Sequence, residues 1–413
     1  MYTPTSSCRT LLGLSVLLCQ CCTADAGAQT ERHMKMARQR MLQTVIIAGG
    51  IKNQRVIESM GRTPRHEFVP ETFRERGLAY EDMGLPISEQ QTISSPFIVA
   101  FMTEAIDPQP TDRILEIGTG SGYQAAVLSS LVKDVYTIEI VESLGRRARK
   151  TLERLQYHNV HTLIGDGFKG WPEHAPFDKI IVTCSPERVP QPLVDQLKDG
   201  GLMVIPVGQR YQQTLYLMQK RNGKLERESL RPTLFVPMTG AAEKTRELLP
   251  DPENPTLSNT GFEKEPLATG FLPDWYYQRQ ATQITSTAAP EGRNYLRIAN
   301  EEPGKPGIAM QGFPVDAQRI THLEVSGWIK YEGTRRGRNN NEFPAIVITF
   351  FNSNRERLGN RWIGPFEGTS PWRHRSERIR VPPEAKEAIL QLGLFGAVGE
   401  ICFDDVRVRR AHR

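Results

Sequence analysis

From residue 113 the chain alternates short apolar runs with stretches at helical spacing. The runs fall at 113–117, 135–139, 161–164, 179–183 and 202–207, and helical spacing covers 123–131, 142–155 and 190–197. Apolar strands separated by helices and short turns imply a parallel sheet covered on both faces, an α/β doubly wound (Rossmann-like) fold. Gly200-Gly201 marks the last helix-to-strand turn, and 214–220 with 230–238 read as a closing antiparallel pair. Upstream, 29–59 is polar, with Met41, Leu42, Val45, Ile46 and Val56 at near-helical spacing.

The pattern changes after residue 241. Pro250, Pro252 and Pro255 sit among Glu, Asp, Asn and Ser, which suits a linker over 242–261. Beyond it come short β-like runs at 294–299, 322–331, 345–351, 378–381, 388–395 and 401–408. Gly, Pro and Asn turns between them predict an all-β sandwich over 262–413. At the other end, Arg9 precedes an apolar run over 11–19, and Ala26-Gly27-Ala28 offers a small-x-small cleavage site before Gln29. Residues 1–28 thus read as a signal peptide, too short to span a bilayer and no stable membrane anchor. Leu18, Gln20 and Cys21 before the cysteines argue against a lipoprotein signal. The competing reading is an apolar tail, or a start codon upstream of Met34. The α/β domain would then occupy 29–241.

Composition narrows the partners. A chain of 413 residues is long enough for two domains, and a net charge of +5 is too small to argue for nucleic acid. Arg335, Arg336, Arg338 and the arginines over 373–380 read as surface. Four of six cysteines fall within 1–28, leaving Cys184 and Cys402 in different domains, which makes neither a disulfide framework nor a metal site.

The candidate chemistry centres on Leu115-Glu116-Ile117-Gly118-Thr119-Gly120-Ser121-Gly122-Tyr123. A strand runs into three glycines at alternate positions, then into an apolar helix whose N-terminus offers free N–H groups. A dinucleotide fingerprint would need glycine at 123, which is Tyr. The next strand ends in Glu139, ~20 residues on, where an acid hydrogen-bonds ribose hydroxyls in doubly wound folds. A tight turn and a solvated strand-end carboxylate are the plainer readings of each part. Together they indicate a nucleoside pocket. The acid-first pattern Glu116-x-Gly118-x-Gly120-x-Gly122 resembles that of methyltransferases using S-adenosyl-L-methionine.

Further blocks narrow the resemblance. They are Pro64-Arg65-His66-Glu67-Phe68-Val69-Pro70, Gln91-Thr92-Ile93-Ser94-Ser95-Pro96, Gly165-Asp166-Gly167, Ala175-Pro176-Phe177-Asp178, Leu202-Met203-Val204-Ile205-Pro206-Val207-Gly208 and Phe235-Val236-Pro237. With them the chain, from about Met36 to Gly240, closely resembles the protein-L-isoaspartate (D-aspartate) O-methyltransferases. The resemblance implies an enzyme that methylates the free carboxylate of L-isoaspartyl and D-aspartyl residues in damaged proteins. The ester then collapses through a succinimide toward normal aspartate. It also implies that Ser94 is catalytic and that Thr92, Ile93, Glu116, Gly118, Gly120, Gly122, Glu139, Asp166 and Gly167 bind the cofactor. Asp166 would sit near the adenine. A carboxylate is ionised near neutral pH, so no strong base is required, and the Ser94 hydroxyl can orient it. Ser94 also suits helix N-capping before Pro96, and Asp166 suits an Asp-Gly turn. Cys184 reads as a buried small hydrophobe. Ser88 stands where the family commonly has glycine, and Phe97 where relatives carry His or Tyr.

The region 262–413 lies outside that pattern. Its end, Ile401-Cys402-Phe403-Asp404-Asp405-Val406-Arg407-Val408, resembles the last strand of carbohydrate-binding-module jelly rolls. Phe262 and Trp275 fit that outline. Trp328, Trp362 and Trp372 are candidates for stacking sugars, although filling the sandwich core is the favoured reading. Asp404-Asp405 reads as a strand-edge pair rather than a calcium site. The domain is open to three roles: recruiting protein substrate, binding a cell-envelope glycan, or mediating dimerisation. The signal peptide implies a periplasmic or secreted protein, the family a cytoplasmic one, and S-adenosyl-L-methionine is a cytoplasmic metabolite. Two rival functions remain: a methyltransferase of another carboxylate, and a glycan-binding protein with a vestigial enzyme domain. Intact Glu116, Gly118, Gly120, Glu139 and Ser94 speak against the second.

Overall fold

The apolar runs of the first half assemble into one seven-stranded sheet. The structure, a computed structural model, describes residues 31–411, so the signal peptide expected at 1–28 lies outside the described residues. A hairpin of β1 (Leu85–Ser88) and β2 (Gln91–Ile93) comes first. It is followed by β3 (Arg113–Ile117), β4 (Asp134–Glu139), β5 (Val160–Ile164), β6 (Phe177–Val182) and β7 (Leu197–Gly208). The sheet closes with β8 (Gln213–Arg221) and β9 (Lys224–Thr233), in the order β5-β4-β3-β6-β7-β8-β9. Strands β5 to β7 pair in parallel, whereas β8 is antiparallel to both its neighbours. Ile180, Ile181, Val182, Met203, Val204 and Ile205 are fully buried, as strands covered on both faces must be.

From β3 the chain runs outward through β4 to β5 on one side, then crosses back to β6 and β7 on the other. That reversal opens a crevice at the carboxyl ends of the strands. Helices at Tyr123–Ser129, Glu142–Arg154 and Gln191–Gln196 fill the expected places. Arg65 explains one upstream block. Its buried guanidinium lies 4.9 Å from the Tyr123 ring centroid, and its Nε donates to the Ala79 carbonyl at 2.8 Å. It thereby anchors the first turn of the helix after the glycines.

One strand needs correction: the second closing strand runs over Lys224–Thr233, not 230–238. Asn222 and Gly223 both take positive φ (50° and 75°) and make the tight hairpin turn. The polar run Lys224-Leu225-Glu226-Arg227-Glu228 hid the strand because an edge strand facing solvent need not alternate.

The second half is an antiparallel sandwich of two five-stranded sheets. Its strands are β10 (Tyr276–Arg279), β11 (Ala281–Thr285), β12 (Asn294–Asn300), β13 (Ile308–Pro314), β14 (His322–Arg335), β15 (Ala345–Phe351), β16 (Arg357–Ile363), β17 (Gly368–Arg380), β18 (Glu387–Gly393) and β19 (Val398–Arg410). One sheet is ordered β10-β13-β18-β15-β16 and the other β11-β12-β19-β14-β17. Phe262, Trp275, Phe313, Phe350 and Phe403 lie in the core between them. Here the expected core role of Trp328, Trp362 and Trp372 is overturned, since none of the three belongs to the core between the sheets. On β14, Leu323, Val325 and Ile329 point inward, so Trp328 points outward by alternation, and Trp362 precedes the inward Ile363. Trp362 is 42% exposed. Asp404 is buried, and its carboxylate accepts the backbone N–H groups of Glu291 at 2.9 Å and Asp405 at 2.7 Å.

The start of the segment expected as a linker, 242–261, is bonded to the first domain. Arg246 donates to the Gly208 and Ser185 carbonyls, and the Glu247 and Leu248 N–H groups donate to the Glu187 carboxylate. The two halves also touch directly. Thr269 donates to the Leu230 carbonyl at 2.8 Å, and the Tyr211 hydroxyl donates to Glu387 at 3.3 Å.

Candidate active site

The crevice at the carboxyl ends of β3 and β4 forms a cavity that, with the solvent-open space at its mouth, measures about 730 Å³. Its floor is the glycine turn. Gly118 and Thr119 both donate to the Ile138 carbonyl, at 2.9 and 3.1 Å, which clamps the turn to β4. Gly118, Gly120 and Gly122 have φ of 96°, 54° and 90°, backbone that side chains disfavour. Space adds a second reason at Gly118, where a Cβ would meet the Thr183 hydroxyl at 2.5 Å. Glu139 then fixes the turn from the side. Its carboxylate accepts the Gly120 N–H at 2.7 Å and the Val141 N–H at 2.9 Å. Burial raises the Glu139 pKa, and those N–H groups oppose the rise.

These residues fit S-adenosyl-L-methionine on the structure's own terms. A carboxylate with lone pairs to spare faces the cavity beside a close-approach backbone turn, and Ile117, Ile138, Ile140 and Val236 supply apolar walls for a base. Gly167 contributes by lacking a side chain, since a Cβ there would meet Ile117 Cγ2 at 2.4 Å.

A second cavity, about 400 Å³ with the open space at its mouth, adjoins the first. The two share Thr92, Ser94, Thr183 and Val236, so Ser94 stands where they meet. Ser94 does not cap the following helix, Pro96–Ala105. Ser95 is the N-cap residue, and Asp82 accepts the Phe97 N–H at 3.1 Å. No histidine or lysine lines either cavity among the described residues. Cys184 lines the first, yet burial pushes its thiol up, which leaves it an inert wall.

Thr92, Ile93, Ser94, Gly118, Gly120, Glu139 and Gly167 all line the first cavity, whereas Glu116, Gly122 and Asp166 lie behind it. Glu116 is wholly buried between β4 and β6, both carboxylate oxygens lack a hydrogen-bond partner, and burial pushes its pKa up to about 8. Gly122 turns the chain into the helix. Asp166 accepts the Phe168 N–H at 3.0 Å and the Ala241 N–H at 2.9 Å, so it ties its turn to the start of the short helix Ala241–Lys244. Sequence reasoning overlooked Thr183, Cys184 and the stretch Val236-Pro237-Met238-Thr239 as cavity walls. Thr183 was within reach of it, because Thr183 follows β6 at the carboxyl edge where such folds bind ligands.

Comparison with known proteins agrees with this geometry. The family profile described as protein-L-isoaspartate(D-aspartate) O-methyltransferase matches residues 36–243. The protein-L-isoaspartate O-methyltransferase of Dictyoglomus turgidum is 48% identical over 203 residues, spanning 49% of this chain and 91% of that relative. That of Gloeobacter violaceus is 50% identical over 199 residues, 48% of this chain and 95% of the relative. A solved protein-L-isoaspartate O-methyltransferase from Plasmodium falciparum, in complex with S-adenosyl-L-homocysteine, is 24% identical, with a TM-score of 0.44 over 49% of this chain and 98% of that one. The sandwich lies beyond the matched residues. The chain belongs to the protein-L-isoaspartate(D-aspartate) O-methyltransferase family.

Proposed function

We propose that this chain methylates the free carboxylate of L-isoaspartyl and D-aspartyl residues in damaged proteins and so initiates their repair. Bound S-adenosyl-L-methionine supplies the methyl group on a sulfonium. The observation that carries the reading at the level of residues is Ser94 at the junction of the two cavities. From that junction its hydroxyl can donate to an acceptor carboxylate entering from the second cavity, and in this reading Glu139 and the glycine turn hold the nucleoside in the first. The acceptor is already ionised near neutral pH, which suits walls that offer neither imidazole nor amine. Catalysis then rests on positioning and on exclusion of water. Gly122 and Asp166 serve the cofactor from behind by shaping the turn and tying the adjoining loop, and Glu116 stands buried beneath them.

The test pairs isoaspartyl and aspartyl peptides with labelled S-adenosyl-L-methionine. Incorporation is expected in the isoaspartyl peptide alone, and Ser94→Ala is expected to lower kcat/KM about 10- to 100-fold, the loss of one hydrogen bond to a charged group. Cofactor affinity should stay within about twofold. Equal labelling of both peptides would sink the reading in favour of another carboxylate substrate.

We also propose that residues 1–28 direct export, so that repair occurs in the periplasm or outside the cell. Fractionation checks this: an intact N-terminus in the cytoplasm would refute it. No described helix is long and apolar enough to cross a membrane. For the sandwich, the exposed Trp362, packed against Phe343 at 5.0 Å and Phe395 at 5.8 Å between ring centroids, supports a glycan or protein ligand.

A further inference from the structure

We propose that the sandwich domain forms one wall of the acceptor site. In this arrangement Tyr277 selects which isoaspartyl peptides reach Ser94. The proposal rests on the methyltransferase reading and extends it to a domain outside the matched family region.

The second cavity is built almost wholly from the first domain, with Gly84, Ser94, Ile98, Thr233 and Phe235 among its walls, and Tyr277 closes it. Tyr277 belongs to β10, at the edge of the sandwich, and the chain arrives there by an unusual path. Its φ is +54°, in the left-handed region that a bulky residue rarely adopts, and β10 slips register between Tyr276 and Arg279. That irregularity turns the phenol out of its own sheet and toward the neighbouring domain. Strained backbone of this kind persists where surrounding contacts over-determine it.

The contacts are specific. The Tyr277 hydroxyl donates to Ser95 Oγ at 3.1 Å, and Ser95 is the residue after Ser94. Ser95 is 1% exposed and makes no side-chain cap for its own helix, so its hydroxyl is left to Tyr277. Two residues along the same strand, Arg279 pairs with Asp82 at 2.8 Å. Asp82 in turn holds the Phe97 N–H, so β10 holds the segment just after Ser94 at two points, Ser95 directly and Phe97 through Asp82.

Charge points the same way. The guanidinium groups of Arg231 and Arg279 each lie 5.0 Å from the Phe97 ring centroid, and Arg231 also lies over Phe101 and Phe271. Asp82 is the carboxylate paired to this group, so one positive charge is in excess behind the acceptor cavity. An approaching free carboxylate is favoured there, and an uncharged amide is not. The aromatic wall beside Ile98 and Phe235 leaves limited room around the acceptor. Small residues next to the isoaspartate should therefore be preferred to bulky ones.

The experiment uses the full chain as wild type, Tyr277→Ala and Tyr277→Phe. It measures kcat and KM for two isoaspartyl peptides, one with glycine and one with tryptophan beside the isoaspartate, and the Kd for S-adenosyl-L-homocysteine. Tyr277→Ala is expected to raise KM for the glycine peptide about tenfold and to shift the kcat/KM ratio at least about threefold toward the tryptophan peptide. Cofactor Kd should remain within about twofold. Tyr277→Phe keeps the ring and guards against a variant that fails to fold. It should preserve the size preference while raising KM about three- to fivefold, through the lost donation to Ser95. Equal losses for both peptides, or unchanged KM in both variants, would reduce Tyr277 to a packing residue and overturn the proposal. Failure of the wild type to methylate either peptide while binding cofactor would overturn the isoaspartyl reading itself, a different result from unaffected variants.

Discussion

The two sides of the active-site cleft are built by different means. On the cofactor side, a strand, a glycine turn and a helix follow one another without interruption from Arg113 to Ser129, and Glu139 arrives from the adjacent strand. The acceptor side gathers Gly84, Ser94, Thr183, Phe235 and Tyr277 from five separate parts of the chain. One wall is a property of local backbone conformation, and the other is closed only once the second domain has docked. Local backbone geometry transfers between proteins because it depends on a few adjacent residues. A docked wall is free to vary, and here a sandwich outside the family match supplies part of it.

The comparison breaks most visibly at Gly118. Gly118→Val places a branched side chain at φ 96° and against the Thr183 hydroxyl, so affinity for S-adenosyl-L-homocysteine should fall at least about 100-fold. Calorimetric binding checks it, and retention within tenfold would show that the turn is not the determinant claimed.

Behind the same turn, Glu116 gives the cofactor side a pH signature. Its folded pKa of about 8 stands above the ordinary 4.5, so between those values the folded chain holds more protons than the unfolded one. Its contribution to stability is therefore greatest below about pH 4.5 and is lost as pH rises through about 8, at up to about 1.4 kcal/mol per pH unit. Glu116→Gln should flatten the decline of ligand-free stability between pH 5 and 8, measured by urea unfolding. An unchanged slope would assign the decline to another group.

The smallest effect tests the hairpin facing the glycine turn. Ser88 has φ 95°, followed by positive φ at Glu89 and Gln90. Glycine there relieves a left-handed strain of about 1–2 kcal/mol but loosens the unfolded chain and forfeits the 3.0 Å bond from Arg147. Ser88→Gly should gain about 0.5 kcal/mol in thermal unfolding, with destabilisation as the refuting result.

Legibility followed the same divide. The β3 strand, the glycine turn and the helix from Tyr123 stood in the sequence because each rests on neighbours within a few positions. Phe97 looked like a mere departure from the family until its ring was found under two guanidinium groups, one of them Arg279 of the sandwich. Strands β13 and β16 escaped reading because Gly312, Gly359, Asn360 and Arg361 break apolar alternation, although neighbouring strands supply their pairing. The same limit misled the reading of the tryptophans. Aromatic character says that a side chain can be buried, and only the pleat says which way it points.

The sequence by itself determined the strand–helix alternation, the nucleoside turn, its accompanying acid and the family, since short-range backbone sterics and periodic burial are written into adjacent residues. Only the tertiary structure decided that Glu116 and Asp166 stand behind the cavity, that Ser94 sits at the meeting of two cavities, and that Tyr277 reaches Ser95. Those facts depend on contacts between residues as many as 182 positions apart. At such separations many pairings satisfy the same pattern of apolar and polar positions, and packing of the whole chain selects among them.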